Sequence, residues 1–160
     1  MAHHDAEEKL SELLKAKHLT ISSAESCTGG MIAHTLTLRS GSSEYFKGAV
    51  VSYCNEVKMN VLGVNKATID SYTVVSREVA EEMATGVKSL MATDVSVSTT
   101  GIAGPSGAME GKPVGTVCIC AASKERCVSR CILFSGDRAS VIAQASEMAM
   151  LMACEVIETA

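Results

Sequence analysis

Leu10, Leu13 and Leu14 recur at helical spacing among polar neighbours between Asp5 and Lys17, which predicts an amphipathic first helix. Leu19–Ser23 then reads as a short strand, ending in the small-residue turn Ala24–Gly30. A second helix spans Gly30–Leu38, and Arg39–Ser43 is a polar loop. Gly48–Tyr53 has the continuous apolar character of a buried strand. Asn55 is placed to cap a helix reaching Leu62, where Gly63 stops it. Ser76 caps another helix, Arg77–Met91, whose apolar stripe is Val79, Met83 and Val87. Glu78 in its first turn suits the positive end of the helix dipole. Val95–Thr99 is a strand that runs into the glycine-rich loop Thr100–Gly107. Pro113–Ala122 and Arg126–Phe134 read as two strands joined by the turn Ser123–Glu125, and a last helix covers Arg138–Ile157.

Strands that alternate with helices and finish in one hairpin predict the α/β class: a three-layer α/β/α domain with a mixed sheet. The 160 residues fit a single domain over positions 1–160, without repeat or linker. Composition narrows the function classes. The net charge of −4 and the absence of a basic cluster argue against nucleic acid as a partner. Aromatics at 3% with no Trp leave little on which bases could stack. No apolar run reaches about 18 residues and the first residues lack a signal-peptide pattern, so the expectation is a cytoplasmic protein without a membrane partner. Seven cysteines, at 27, 54, 118, 120, 127, 131 and 154, include no CxxC pair. They are expected to be reduced thiols serving as small hydrophobes, with no metal site.

Three small-residue turns offer backbone N–H groups to a ligand: Glu25–Gly30, Gly41–Ser43 and Thr100–Gly107. None carries the GxGxxG or GxxxxGK[ST] pattern, and no GxSxG elbow is present. Ser26, Ser42, Ser43, Thr100 and Cys27 are the possible nucleophiles. The four histidines are poorly placed for a Ser-His-Asp triad, since His3 and His4 are terminal, His18 ends the first helix and His34 rides the second. Lys58 is the better base, because the start of a helix and partial burial both disfavour its ammonium form. Tyr53 ends the preceding strand within reach of the same space. Arg138, after Ser135-Gly136-Asp137, has the side chain to hold a phosphate bidentately.

Seven segments in order carry a family resemblance: Ala24–Gly30, Gly41–Ser43, Val51–Lys58, Leu62–Val64, Thr100–Pro105, Lys112–Val117 and Phe134–Arg138. Together they resemble the CinA C-terminal domain family, the stand-alone nicotinamide mononucleotide (NMN) deamidases, over residues 7–158. The resemblance implies a metal-free and cofactor-free Ser/Lys amidohydrolase of pyridine nucleotide salvage. Such an enzyme converts NMN and water to nicotinic acid mononucleotide and ammonia. Carried over by motif, Ser43 is the nucleophile and Lys58 its base, with Ser26 the alternative nucleophile. Tyr53, Ser26 and Thr100 assist through hydrogen bonding and oxyanion stabilisation. Arg138 holds substrate, with Thr28, Gly29, Gly30, Gly101, Ala103 and Gly104 as further binding positions. The chain departs from the family pattern at Ser40, at Ala49 and at Ser106-Gly107-Ala108. Two other readings stay open: a non-catalytic nucleotide-binding module, and a hydrolase of another small amide. The apolar stretch Ala143–Ala153 gives the expectation of a homo-oligomer, a dimer in the first instance.

Overall fold

The computed structural model describes residues 2–159, with side chains from Asp5 onward. Among these residues five strands form one mixed sheet: β1 (Ile21–Glu25), β2 (Phe46–Val51), β3 (Val95–Gly101), β4 (Thr116–Ala122) and β5 (Cys127–Leu133). Their order is β2-β1-β3-β4-β5, with β2, β1 and β3 parallel and β4 and β5 antiparallel. Among the described residues six helices surround it: α1 (Ala2–Ala16), α2 (Met31–Thr37), α3 (Asn55–Asn60), α4 (Lys66–Tyr72), α5 (Arg77–Met91) and α6 (Arg138–Glu158). Helices α1, α2 and α6 cover one face, and α4 and α5 the other, with Leu62 and Val64 packed against α5. This is the three-layer arrangement that the alternation of elements predicts.

The two faces are built differently. On the α6 side, Val95 and Val97 of β3 meet Val117, Ile119 and Ala121 of β4 and the apolar stripe of α6 in one continuous core. On the α5 side, β3 presents serines. Ser96 Oγ donates to the Ala84 carbonyl at 2.7 Å and Ser98 Oγ to the Ala80 carbonyl at 2.5 Å. Both serines are fully buried, so helix carbonyls satisfy hydroxyls that would be costly if left unpaired. Small side chains on both elements let α5 lie close to the sheet. Gly86 continues that closeness on the helix's other flank, where a Cβ would sit 1.9 Å from the Leu62 carbonyl oxygen.

Several boundaries differ from the sequence reading. β1 runs two residues past Ser23, to Glu25, because Ser22 and Ser23 are buried in the sheet rather than turning out of it. Asn55 is the first residue of α3, and Cys54 holds the cap position. α4 was not foreseen: none of its residues is buried, so the sequence shows no apolar stripe. Ser76 does cap α5, accepting from the Val79 N–H at 3.2 Å. The cysteines also depart from expectation, since Cys118 and Cys131 form a disulfide across β4 and β5. They are register partners on adjacent strands, a proximity that residue spacing alone does not reveal.

α6 is long and apolar enough by composition to cross a membrane, yet 56% of its most apolar window is buried within the chain. Ala145, Ala149, Met150, Met152 and Ala153, within or beside the stretch read as a pairing surface, pack in the α6-side core.

Candidate active site

Parallel β1, β2 and β3 all end at one edge of the sheet, at Glu25, Val51 and Gly101. The chain leaves β1 toward β2 on one side and reaches β3 on the other. β1 is therefore the point where strand order reverses, and the crevice beyond it is the favoured ligand position of such sheets. A cavity of about 300 Å³ lies there. Ser26, Cys27, Tyr53, Asn55, Lys58 and Arg138 contribute polar groups to its wall, and Val74, Val75, Ile102 and Met109 apolar ones.

Glu25 organises the first turn. Its carboxylate is wholly buried and accepts four hydrogen bonds: from Ser23 Oγ at 3.1 Å, Thr28 Oγ1 at 2.7 Å, and the Ile32 and Ala33 N–H groups at 3.0 Å each. Gly30 caps α2 with φ of 103° and has no side chain to offer, so the strand's carboxylate satisfies the helix N–H groups instead. Thr28 Oγ1 also lies 2.8 Å from Thr99 Oγ1 on β3. The turn is thereby locked, and Ser26 N donates to the Thr99 carbonyl at 3.0 Å.

Lys58 is 2% exposed, on a helix of only six residues. Its Nζ lies 2.6 Å from the Ser52 carbonyl oxygen and 3.0 Å from Ser26 Oγ. No carboxylate pairs with it among the described residues. Burial pushes its pKa below the ordinary lysine value, with lesser opposition from Cys54 and Cys27. A neutral amine beside a serine hydroxyl is the arrangement that draws off the hydroxyl proton. Ser26 is 8% exposed and faces the cavity.

Ser43 stands elsewhere. It is exposed in a single 3-10 turn, Ser42–Glu44, that precedes β2. Tyr45 closes that turn and its carbonyl accepts from Ile21 N at the start of β1. Lys58 lies beyond the other end of the same strands. Six residues of β2 at about 3.3 Å each put roughly 20 Å of sheet between them. The Ser43–Lys58 pairing expected from the motif is therefore corrected to Ser26–Lys58: a turn before a parallel strand opens at the edge opposite to a turn after one.

The other expected positions divide. Gly101 and Ala103 line the cavity, and a Cβ on Gly101 would meet the Thr116 carbonyl oxygen at 2.6 Å. Gly104 stands beside it, its carbonyl accepting from Arg138 Nη1 at 2.7 Å. Arg138 Nη2 donates to Tyr53 Oη at 2.9 Å, so the guanidinium bridges two loops at the mouth and keeps further N–H donors free. Tyr53 is 62% exposed there. Thr100 lines the wall, but its hydroxyl proton goes to the Val74 carbonyl at 2.8 Å. It is not a free donor for an oxyanion, which corrects that expected role. Thr28, Gly29 and Gly30 are not part of the wall and shape the turn behind it. Cys27 reaches the cavity with a thiol that burial pushes up to about 11, so it is protonated at neutral pH and unfit as a thiolate nucleophile. Asn55, read from the sequence only as a cap, is an added wall residue; its place two positions past Tyr53 was the available signal. A wider depression of about 810 Å³ between α5 and the α3–α4 link holds no nucleophile–base pair. Its Glu82 is taken up by Asn65 and Thr68, and its Glu81 by Ser129.

Comparison with known proteins decides the family. The CinA C-terminal domain model matches residues 3–157. The chain belongs to the CinA C-terminal domain family. It is 44% identical over 155 residues to a CinA-like protein of Chloroherpeton thalassium, covering 94% of this chain and 37% of that one. A CinA-like protein of Flavobacterium psychrophilum is 48% identical over 143 residues, covering 89% and 34%. The chain thus spans about a third of the length of these curated relatives. Among solved structures, a competence-damaged protein (CinA) superfamily protein from Klebsiella pneumoniae superposes with a TM-score of 0.94 at 31% identity, covering 99% of both chains. The competence/damage inducible protein CihA from Agrobacterium tumefaciens gives 0.90 at 31%, covering 96% of each. The mixed α/β sheet is the fold of that superfamily.

Proposed function

We propose that this CinA-domain chain hydrolyses the carboxamide of NMN, with Ser26 as nucleophile and Lys58 as its base. The observation that carries the reading is the buried Lys58 amine, paired with no carboxylate among the described residues and 3.0 Å from a serine hydroxyl that lines the cavity. Neutral Lys58 takes the Ser26 proton as Oγ attacks the carboxamide carbon. Charge develops on the carbonyl oxygen. The N–H of Cys27, next after the nucleophile, donates to no backbone carbonyl of the turn and is the donor we assign to it. The Lys58 ammonium returns its proton to the amide nitrogen, the C–N bond breaks and ammonia leaves an acyl ester on Ser26. Lys58 then deprotonates a water, which attacks the ester, and nicotinic acid mononucleotide departs with the Ser26 hydroxyl restored. Arg138, at the mouth with donors to spare, faces the substrate phosphate.

Purified protein incubated with NMN should release ammonia and yield nicotinic acid mononucleotide by chromatography, and Lys58→Ala should abolish both. Binding of NMN without product would make the site a nucleotide-binding module. Ammonia from other small amides but not NMN would keep the Ser–Lys chemistry and overturn the substrate.

A further inference from the structure

Four of the seven cysteines lie on β4 and β5, one strand beyond the cavity wall, and take no part in the chemistry at Ser26. The two strands pair from Thr116↔Leu133 to Ala122↔Cys127. Cys118 is bonded to its partner Cys131. Two positions nearer the turn, Cys120 faces Ser129, and its Sγ lies 3.1 Å from Sγ of the diagonal neighbour Cys127. The turn between them is fixed by backbone contacts. Ser123 N donates to the Arg126 carbonyl at 2.7 Å, and Ser123 Oγ accepts from the N–H groups of Glu125 and Arg126. The thiol pair is therefore set by strand register.

The two thiols are unequal. Cys120 is fully buried beneath α5, whereas Cys127 is exposed on the edge strand. The hydrogen bond from Cys120 holds the Cys127 thiol below the ordinary thiol value, aided by Lys88 and opposed by partial burial and Glu81. Lys88 Nζ reaches the adjoining Ser123 carbonyl at 3.0 Å, which keeps its cation beside the pair. An exposed thiol with thiolate character, next to a sealed second thiol, is the layout in which one cysteine attacks and the other resolves. No third His, Cys, Asp or Glu joins them to make a metal site among the described residues.

We propose that Cys127 and Cys120 form a thiol–disulfide exchange site for low-molecular-weight disulfides, with Cys127 attacking and Cys120 resolving. In the first step Cys127 thiolate attacks a sulfur of RSSR, an S–S bond breaks and RS⁻ leaves. Cys120 then loses its proton to RS⁻ and attacks Cys127 Sγ, which forms Cys120–Cys127 and releases a second RS⁻. The protein dithiol is oxidised by two electrons and RSSR is reduced to two thiols, while Cys118–Cys131 is untouched. The site stands whether or not the chain acts on NMN.

The test treats the intact protein with oxidised glutathione, alkylates free thiols with iodoacetamide under denaturing conditions and maps tryptic peptides by mass spectrometry. Cleavage after Lys124, Arg126 and Arg130 separates Cys127 from Cys131 and leaves Cys118 and Cys120 together. Before treatment, the peptide holding Cys118 should be linked to that of Cys131, with Cys120 and Cys127 alkylated. Afterwards all three peptides should be joined, without glutathione on any of them. Exposed Cys54, outside the β4–β5 pair, should retain a glutathione adduct and serves as the internal control. In Cys120→Ser the adduct should stay on Cys127. Glutathione persisting on Cys127 in the wild-type chain overturns the resolving role. Cys54 modified while Cys120 and Cys127 remain alkylatable overturns the site, and both of these readings need only the wild-type protein.

Discussion

Two serine-bearing turns, Glu25–Gly30 and Gly41–Ser43, look alike as strings of small residues yet sit at opposite edges of one sheet. The first follows β1 and opens where three parallel strands end together. The second precedes β2 and is pinned to α1, where Arg39 grips the buried Glu7 through Nε at 2.7 Å and Nη2 at 2.8 Å. One turn points its serine at a buried amine, and the other leaves Ser43 in solvent beside a structural ion pair. Strand direction, rather than residue composition, decides which serine lies beside the buried amine.

The sharpest way to break that comparison is to remove each serine in turn. Ser26→Ala should lower kcat on NMN by at least about 10³-fold, the scale of losing a nucleophile. Ser43→Ala should leave it within about twofold, since an exposed position away from the site perturbs little. Comparable losses in steady-state assays of both variants would undo the assignment. A smaller effect probes what holds the first turn. Glu25→Gln replaces an acceptor of four hydrogen bonds by a group that must turn donors toward donors. About 3 kcal/mol of stability should go, which is roughly 6–12 °C in thermal melting for a chain of this size. Unchanged melting would mean that the turn is held by something else.

Arg138→Ala should act on binding more than on chemistry, raising KM for NMN about thirtyfold with kcat little changed, as expected for a lost charged hydrogen bond of about 2 kcal/mol. A fall confined to kcat would place Arg138 at the reacting amide instead. The pH profile gives the gentlest contrast. Lys58 must be neutral to act, and its folded pKa is lowered, so kcat/KM should rise with pH and level off below the ordinary lysine value of about 10.4. A plateau reached only above that value would show Lys58 to be solvated and charged.

Much of this arrangement was readable from the chain. Lys58 stood out because a lysine near a helix start, after an apolar strand, has little water and an unfavourable dipole. Ser76 and the stripe of α5 were equally plain, because capping and 3.6-residue periodicity are local. The misses share a non-local cause. Ser22 and Ser23 look like a strand's polar exit until β2 and β3 pair on both sides of them. Thr100 looks like a free hydroxyl until Val74 arrives from 26 residues away. Glu25 gave a signal that went unused: an acid closing an apolar strand needs donors, and the following turn supplies them. Cys118–Cys131 follows from strand register, which no spacing rule encodes.

The bridge from Arg138 to Tyr53 and Gly104 has a consequence for the order in which the protein becomes competent during synthesis. Every wall residue except Arg138 precedes position 110. Arg138 opens the helix whose Val141, Ala145 and Ala149 complete the core over β3 and β4. A nascent chain that already includes Ser26 and Lys58 still lacks both the cover of its sheet and the clasp at its mouth. Those arrive together with α6, so the pocket gains its gate in the same event that seals the core.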